Sequence, residues 1–345
     1  MDKKGKKGLV NLGNTCFLNA CVQILNHTYE LNQILQTKQI QKYKKTNNDD
    51  CIILNEWNDL RKTLWQNNGI AISPNKFVHY IQYIAKIKNR ELFTGWAQND
   101  MSEFLLFFIE SLHNSISRGI NMRILGNIEN ALDKLAIDCF TMLKNIYDKE
   151  YSEIMDLFYG IYISEIISLD ETNPEKYVMK PEQYFMLDLP IPSISLSSLE
   201  CVTLYDCFDM FSQKEILDND NAWYNEKTKK KENVYKQITF WNFPKIIVIT
   251  LKRFSSDGNK IQDMVDFPFV LDLTKYIVGY TPHQYIYELY GVCNHIGNTK
   301  GGHYTSFVKN NTNEWIHFND ETVQIISNKN RIITPMAYCL FYRKK

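Results

Sequence analysis

The stretch Gly8-Leu9-Val10-Asn11-Leu12-Gly13-Asn14-Thr15-Cys16-Phe17-Leu18-Asn19-Ala20 joins a turn to the start of a helix. Gly13-Asn14-Thr15 is turn-forming, and from Cys16 onward Phe17, Leu18, Cys21, Val22 and Leu25 recur at helical spacing. The thiol of Cys16 therefore stands at a helix N-terminus, where unpaired N–H groups and the macrodipole stabilise an anion. Such a placement lowers a thiol pKa and raises the thiolate fraction. The plain alternative for any cysteine is a small buried hydrophobe. Cys21 fits that alternative, because five residues on it lies in line with the apolar stripe.

Outward from this helix, the first 150 residues read as mainly helical. Residues 41–50 are polar and charged and read as a loop. A second helix starts near Asp100, with Met101, Leu105, Phe108, Ile109 and Leu112 as its apolar stripe. Asp100 with Glu103 resembles a capping box, with Asp in place of Ser or Thr. The second half changes character. Residues 184–189, 245–254, 287–292, 304–308, 314–318 and 337–342 are strand-like. Asn310-Asn311-Thr312-Asn313 is a turn joining two of them as a hairpin. Residues 218–233 are rich in Lys and Asn and read as an exposed loop. Helices first and strands later indicate an α+β fold rather than alternating βαβ units.

Composition excludes several classes. Among 345 residues, Lys+Arg and Asp+Glu are both 39, so binding nucleic acid through bulk charge is not expected. With 14 Gly and 9 Pro, collagen-like and low-complexity chains are excluded. No apolar run approaches the roughly 20 residues of a membrane span, and the basic N-terminus is not followed by an apolar signal segment. The eight cysteines are scattered, which suits a reducing, intracellular compartment, cytoplasmic or nuclear.

A thiolate nucleophile needs a base. His303 follows Gly301-Gly302, which permits close approach of backbone or substrate, and it lies at the start of a strand. Asn319-Asp320 ends the partner strand of the hairpin, where a side chain can orient the imidazole, although such a pair is also a common turn.

Several motifs in order resemble the ubiquitin-specific protease family. The stretch from Gly8 to Ala20 resembles its Cys box. Gly302-His303-Tyr304, with His295 upstream and Trp315-Ile316-His317-Phe318-Asn319-Asp320-Glu321 downstream, resembles its His box. Gln98-Asn99-Asp100-Met101-Ser102-Glu103-Phe104-Leu105 resembles the glutamine–aspartate box between them. Glu215-Ile216-Leu217-Asp218, Leu251-Lys252-Arg253-Phe254 and Val265-Asp266-Phe267-Pro268 match further landmarks.

This resemblance implies a papain-like cysteine protease fold with a helical thumb, a palm of antiparallel sheet and β fingers. It implies one catalytic domain over 1–345, with the thumb at about 8–150, fingers and palm at 155–240, and palm with the His box at 241–345. Cys16 would be the nucleophile, His303 the general base and acid, Asn319 the orienting residue and Asn11 an oxyanion donor. Register supports Asn319: with Phe318 packed in the core, Asn319 faces the catalytic side and Asp320 alternates away again. Gln98 and Asp100 would line the channel for the ubiquitin tail, flanked by His295 and Tyr304. The partners implied are ubiquitin and ubiquitinated proteins, with no nucleic acid, no membrane and a monomeric state. No cofactor is implied. Many relatives hold zinc in the fingers with two Cys-x-x-Cys pairs. Here those regions read Ser168-Leu169-Asp170-Glu171 and Asn225-Glu226-Lys227-Thr228, without thiolates, and Cys16…Cys21 and Cys201…Cys207 lack zinc-ligand spacing. Two rivals stand beside this reading: a catalytically weak ubiquitin-binding protein, and a protease for another ubiquitin-like modifier.

Overall fold

The computed structural model describes residues 5–345 except 46–47, 67–69, 91–92, 94, 96, 170–175, 194–200, 256, 282, 284 and 299–300. Its first helix is α1 (Cys16–Asn26), and every one of its residues is buried. A helix buried all round belongs at the centre of a core. The helical half continues with α2 (Tyr29–Gln36), α3 (Lys38–Tyr43), α4 (Asp50–Leu64), α5 (Asn75–Ile87), α6 (Met101–Ile116) and α8 (Glu153–Phe158), whereas α7 (Ala131–Tyr147) packs on the strand 176–184 in a separate cluster; α9 (Leu204–Ser212) follows later. Trp57 on α4, Phe77 on α5 and Phe108 on α6 meet edge to face or tilted, with centroids 5.3–6.4 Å apart.

The strands are β1 (Gly160–Ser168), β2 (Lys176–Tyr184), β3 (Met186–Leu189), β4 (Val202–Thr203), β5 (Glu215–Leu217), β6 (Trp223–Asn225), β7 (Lys230–Glu232), β8 (Val234–Asn242), β9 (Ile246–Leu251), β10 (Val265–Asp266), β11 (Val270–Asp272), β12 (Ile286–Asn298), β13 (Gly301–Lys309), β14 (Trp315–Asn319), β15 (Thr322–Ile326) and β16 (Ala337–Lys344). The large sheet runs β15-β14-β13-β12-β16-β9-β3, with β11 also paired to β12. A second sheet runs β2-β1-β8-β5, and β6-β7 forms a hairpin.

Strand β9, next to the edge strand β3, is apolar or β-branched at each of its six buried positions, as a strand covered on both faces requires. Its side chains alternate between two cores. Ile246 and Val248 join the helical core around α1, whereas Ile247, Ile249 and Leu251 join the core on the opposite face. Helix α1 packs against β12 and β13 on one side and α6 on the other. The N-terminus of α1 thus lies where the helical half meets the sheet. Among the described residues no helix is long and apolar enough to cross a membrane.

The order of helices then strands matches the α+β expectation, and the sheet expected to be antiparallel is so except that β3 joins β9 in parallel at its edge. Three local readings change. The strand expected over 184–189 is broken at Phe185: Tyr184 pairs with Gly160 in one sheet and Met186 with Val248 in the other. Phe185 is buried against Phe158 and Tyr159 at this crossing. The loop expected over 218–233 contains the β6–β7 hairpin, because a strand pair of three residues each leaves no periodic signal. The loop expected over 41–50 begins only after Tyr43, where α3 ends.

Candidate active site

The segment before α1 is pinned to the turn between β14 and β15. Leu9 N–H donates to the Asp320 carbonyl at 2.9 Å. Gly8 lies so close to Glu321 that a Cβ would sit 2.3 Å from its carbonyl oxygen, so only glycine fits. Within the segment, Asn11 Oδ1 accepts from the Gly13 and Thr15 N–H groups at 3.0 and 3.1 Å. Thr15 Oγ1 accepts from Leu12 N–H at 2.9 Å. The loop thus carries its own hydrogen bonds into the helix start.

The hairpin β13–β14 carries the imidazole. His303 Nε2 lies 2.7 Å from Asn319 Oδ1. A carbonyl oxygen only accepts, so Nε2 carries the proton and Nδ1 keeps the lone pair. Tyr304, the next residue on β13, turns its backbone N–H onto Cys16 Sγ. The sulfur and the imidazole therefore belong to adjoining positions at the junction of α1 and β13.

The Cys16 thiol departs from the sequence expectation. Its pKa is raised, because burial of the sulfur outweighs the N–H groups of Tyr304, Phe17 and Cys16 that pull it down, and the Asp320 carboxylate adds to the rise. The helix start does offer N–H groups, but the same packing that brings β13 to the sulfur strips its water away.

Asp320 also departs from expectation. Alternation stops at Asn319, the last residue of β14, and Asp320 has φ +47°, which turns it back toward the segment before α1. Its Oδ2 accepts from Asn11 Nδ2 at 3.0 Å, and its Oδ1 from Asn19 Nδ2 at 2.8 Å. One N–H of the Asn11 amide is thereby used, and no second acceptor for that amide is seen among the described residues.

A cleft of about 240 Å³ opens beside Cys16, walled by Gln98, Asp100, His295, Gly301, Gly302 and Tyr304. All four residues expected to meet substrate line it. Gln98 accepts from Gly302 N–H and donates to Asn14 Oδ1 at 3.3 Å, which ties the start of α6 to both walls. Asp100 caps α6 through Oδ1, from Ser102 N–H at 2.8 Å and Glu103 N–H at 3.2 Å. Only this forward half of the capping box forms: Glu103 makes no return bond. The other oxygen of Asp100 accepts from the Tyr304 and Tyr338 hydroxyls at 3.2 and 2.5 Å. His295 is buried among the rings of Phe254, Tyr304 and Tyr338.

Asn19, Tyr338, Lys260 and Phe254 also belong to this site without having been expected there. Asn19 and Phe254 stand inside stretches that resemble family motifs, and Asn19 is in addition a polar residue in the apolar run of α1. Tyr338 and Lys260 offered no such signal. In the fingers, Asn225 Nδ2 donates to Glu232 at 3.0 Å and its Oδ1 accepts from Lys227 N–H at 2.9 Å. Asp170 and Glu171 lie outside the described residues. Among the described residues no three His, Cys, Asp or Glu side chains converge to hold a metal ion.

Comparison with known proteins agrees with this architecture. A family model described as ubiquitin carboxyl-terminal hydrolase matches residues 7–342. Ubiquitin carboxyl-terminal hydrolase 2 of Homo sapiens is 35% identical over 348 residues, covering 98% of this chain and 55% of that protein. Ubiquitin carboxyl-terminal hydrolase 4 of Saccharomyces cerevisiae is 30% identical over 375 residues, covering 98% of this chain and 39% of that protein. The chain thus spans about half the length, or less, of these curated relatives. Among solved structures, a chain of the SAGA DUB module bound to monoubiquitin has a TM-score of 0.74 at 24% identity, covering 100% of this chain and 70% of that one. The chain belongs to the ubiquitin carboxyl-terminal hydrolase family, and its fold is the papain-like α+β arrangement of thumb, palm and fingers.

Proposed function

We propose that the chain is a deubiquitinating cysteine protease that hydrolyses the bond after the C-terminal glycine of ubiquitin. The observation that carries this reading is the 2.7 Å contact of His303 Nε2 with Asn319 Oδ1. It leaves Nδ1 basic on the strand residue beside the Cys16 sulfur. Because burial raises the Cys16 pKa, the thiol is protonated at rest and needs that base.

The Cys16 proton passes to His303 Nδ1 as Sγ attacks the glycine carbonyl carbon. The oxyanion is met by the Cys16 N–H and the second N–H of Asn11, held in place by Asp320. One such donor is typically worth about 3–4 kcal/mol in the transition state. The C–N bond then breaks, Nδ1–H protonates the leaving lysine amine, and a thioester remains on Cys16. Water gives a proton to Nδ1, attacks the thioester carbonyl, and releases the carboxylate and the thiol. Gln98, Asp100, His295 and Tyr304 line the path of the tail.

Domain limits of 8–150 for the thumb, 155–240 for fingers and palm and 241–345 for the remaining palm follow the same reading. So do a monomeric state, ubiquitin and ubiquitinated proteins as partners, no nucleic-acid or membrane partner, no cofactor, and an intracellular location, cytoplasmic or nuclear. Solved structures of the same fold are complexes with monoubiquitin and with ubiquitin aldehyde, which supports ubiquitin as the partner.

The test is release of a fluorophore from the C-terminus of ubiquitin, run beside the same construction on other ubiquitin-like modifiers. Release from ubiquitin, lost in Cys16→Ala, is expected. A folded wild type that binds ubiquitin without release would instead be a binding protein. Release from another modifier alone would reassign the substrate.

A further inference from the structure

The acyl-transfer steps leave His295 without a defined task, although it is buried in the cleft wall. It stands on β12 opposite Tyr304 of β13, with the two rings 4.6 Å apart. Its two ring nitrogens meet different surroundings. Nδ1 lies 3.2 Å from Lys260 Nζ, and the same ammonium donates to the His295 carbonyl at 2.6 Å. An ammonium has donors only, so Nδ1 is the acceptor and the ring proton is on Nε2. Nε2 lies against Gly302, where a Cβ would come within 2.3 Å of it. No acceptor among the described residues meets this N–H.

The loop that carries Lys260 is held from below. Arg253, fully buried, donates to the Ile261 and Asp263 carbonyls at 3.1 and 2.9 Å, and Ile261 N–H donates to the Arg253 carbonyl at 2.6 Å. Lys260 is thus fixed above the imidazole by backbone on both sides.

The geometry points to Lys260 as a positioning residue: by occupying Nδ1 it holds His295 as the Nε2–H tautomer, which donates to a backbone carbonyl of the peptide tail in the cleft. The inference rests on the proposed function and names one recognition contact within it. A neutral donor beside Gly301 and Gly302 suits a carbonyl of an extended, close-packed peptide. Burial and the Lys260 charge push His295 down to about 4, against the opposing pull of Asp100, so the imidazole stays neutral near pH 7. The other titratable groups facing it, Tyr304 and Tyr338, both donate to Asp100 and do not compete for Nε2. Arg253 is the next cation, and it lowers Lys260.

The test compares wild type, Lys260→Met, Lys260→Arg, His295→Ala and the Lys260→Met/His295→Ala double variant, each checked for folding by thermal melt. Ubiquitin with a C-terminal fluorogenic amide is hydrolysed from about pH 5.5 to 8.5, and the His295 tautomer is read from histidine ¹⁵N–¹H correlations. Lys260→Met should raise KM about fivefold to tenfold with kcat nearly unchanged, the effect of one misdirected hydrogen bond. Loss of the ammonium raises the His295 pKa, and protonation puts a proton back on Nε2, so KM of this variant should return toward the wild-type value at acid pH. Lys260→Arg keeps a donor and should restore the wild-type profile. The double variant should be no worse than His295→Ala. A Lys260→Met enzyme with an unchanged KM profile and a pure Nε2–H tautomer would overturn the inference, as would an undiminished Lys260→Met penalty in the His295→Ala background. If wild type releases no fluorophore, the proposed function fails, and the tautomer spectra still decide the Lys260 contact.

Discussion

In the proposed mechanism His303 needs one partner to fix its tautomer and Cys16 needs one base, and Asn319, 2.7 Å from His303 Nε2, would serve the first need without carrying charge. Removing it frees the imidazole to rotate and exchange tautomers. Asn319→Ala should therefore lower kcat/KM about tenfold or more, or about 1.4 kcal/mol, at unchanged melting temperature. A near-wild-type Asn319→Ala enzyme would show that the neighbouring Asp320 holds the imidazole instead. Asp320 acts on the other side of the site, taking the Asn11 and Asn19 amides. Its charge also raises the Cys16 pKa. Asp320→Asn removes that charge, so the thiolate becomes easier to form while the Asn11 amide loses its anchor. The midpoint of Cys16 alkylation against pH should move to lower pH even as hydrolysis weakens. An unmoved or higher midpoint would contradict the placement of the carboxylate. The helix start at Cys16 and the pairing of the strands that carry His303 and Asn319 were legible in the sequence, while the roles proposed for these residues come from the resemblance to the family's Cys and His boxes. The direction of the Cys16 pKa was not legible, because it depends on how much water the packed strand removes.

At the scale of elements, the site is a set of dockings between segments far apart in the chain. Asp100 caps α6 and takes two buried tyrosine hydroxyls. Asp100→Ala should cost about 2–3 kcal/mol in thermal or urea unfolding, from a lost cap and two stranded donors. Asp100→Ser should regain about 1 kcal/mol by restoring the cap alone. Gly8→Ala should separate the segment before α1 from the β14–β15 turn, since its Cβ meets Glu321 backbone. A cost of about 1–3 kcal/mol is expected, with a larger fall in kcat than neighbouring surface substitutions give. In the fingers, the turn of β6–β7 is closed by Asn225, Thr228 and Glu232. Less than one tightly bound zinc per chain and a melting temperature indifferent to chelator are expected, because a structural zinc would contribute folding free energy. The strands of the palm were readable from their β-branched and aromatic runs, while the β6–β7 hairpin was too short to announce itself. Lys260 was unreadable for another reason: a single lysine in a polar loop acquires its partner only when β12 passes beneath it.

The whole molecule should be acid-labile in a defined window. His27 is fully buried, with Nδ1 2.9 Å from the Gln23 carbonyl, and burial lowers it from 6.5 to about 4. His295 is lowered in the same direction. The unfolded chain therefore binds more protons than the folded one between these values, so stability is full above about pH 6.5 and is lost as pH falls toward 4. For His27 the full effect is on the order of 3 kcal/mol. Melting temperature should fall steadily from pH 7 to about 4.5, and a flat profile would contradict the burial of these imidazoles. The α+β order was legible from helices preceding strands, because periodicity survives in long elements. The crossing at Phe185 between two sheets was not, since Tyr184 at the end of β2, Phe185 and the residues of β3 read as one strand-like run. The central claim concerns a single sulfur made reactive by a strand, a hairpin and a loop from opposite ends of the chain. Its most direct test is incubation with ubiquitin bearing a C-terminal electrophile, followed by intact-mass and peptide mass spectrometry. One adduct per chain, located on Cys16 and absent in Cys16→Ala, is the expected result. A folded wild type that stays unlabelled, or an adduct on the exposed Cys201 in place of Cys16, would contradict the account.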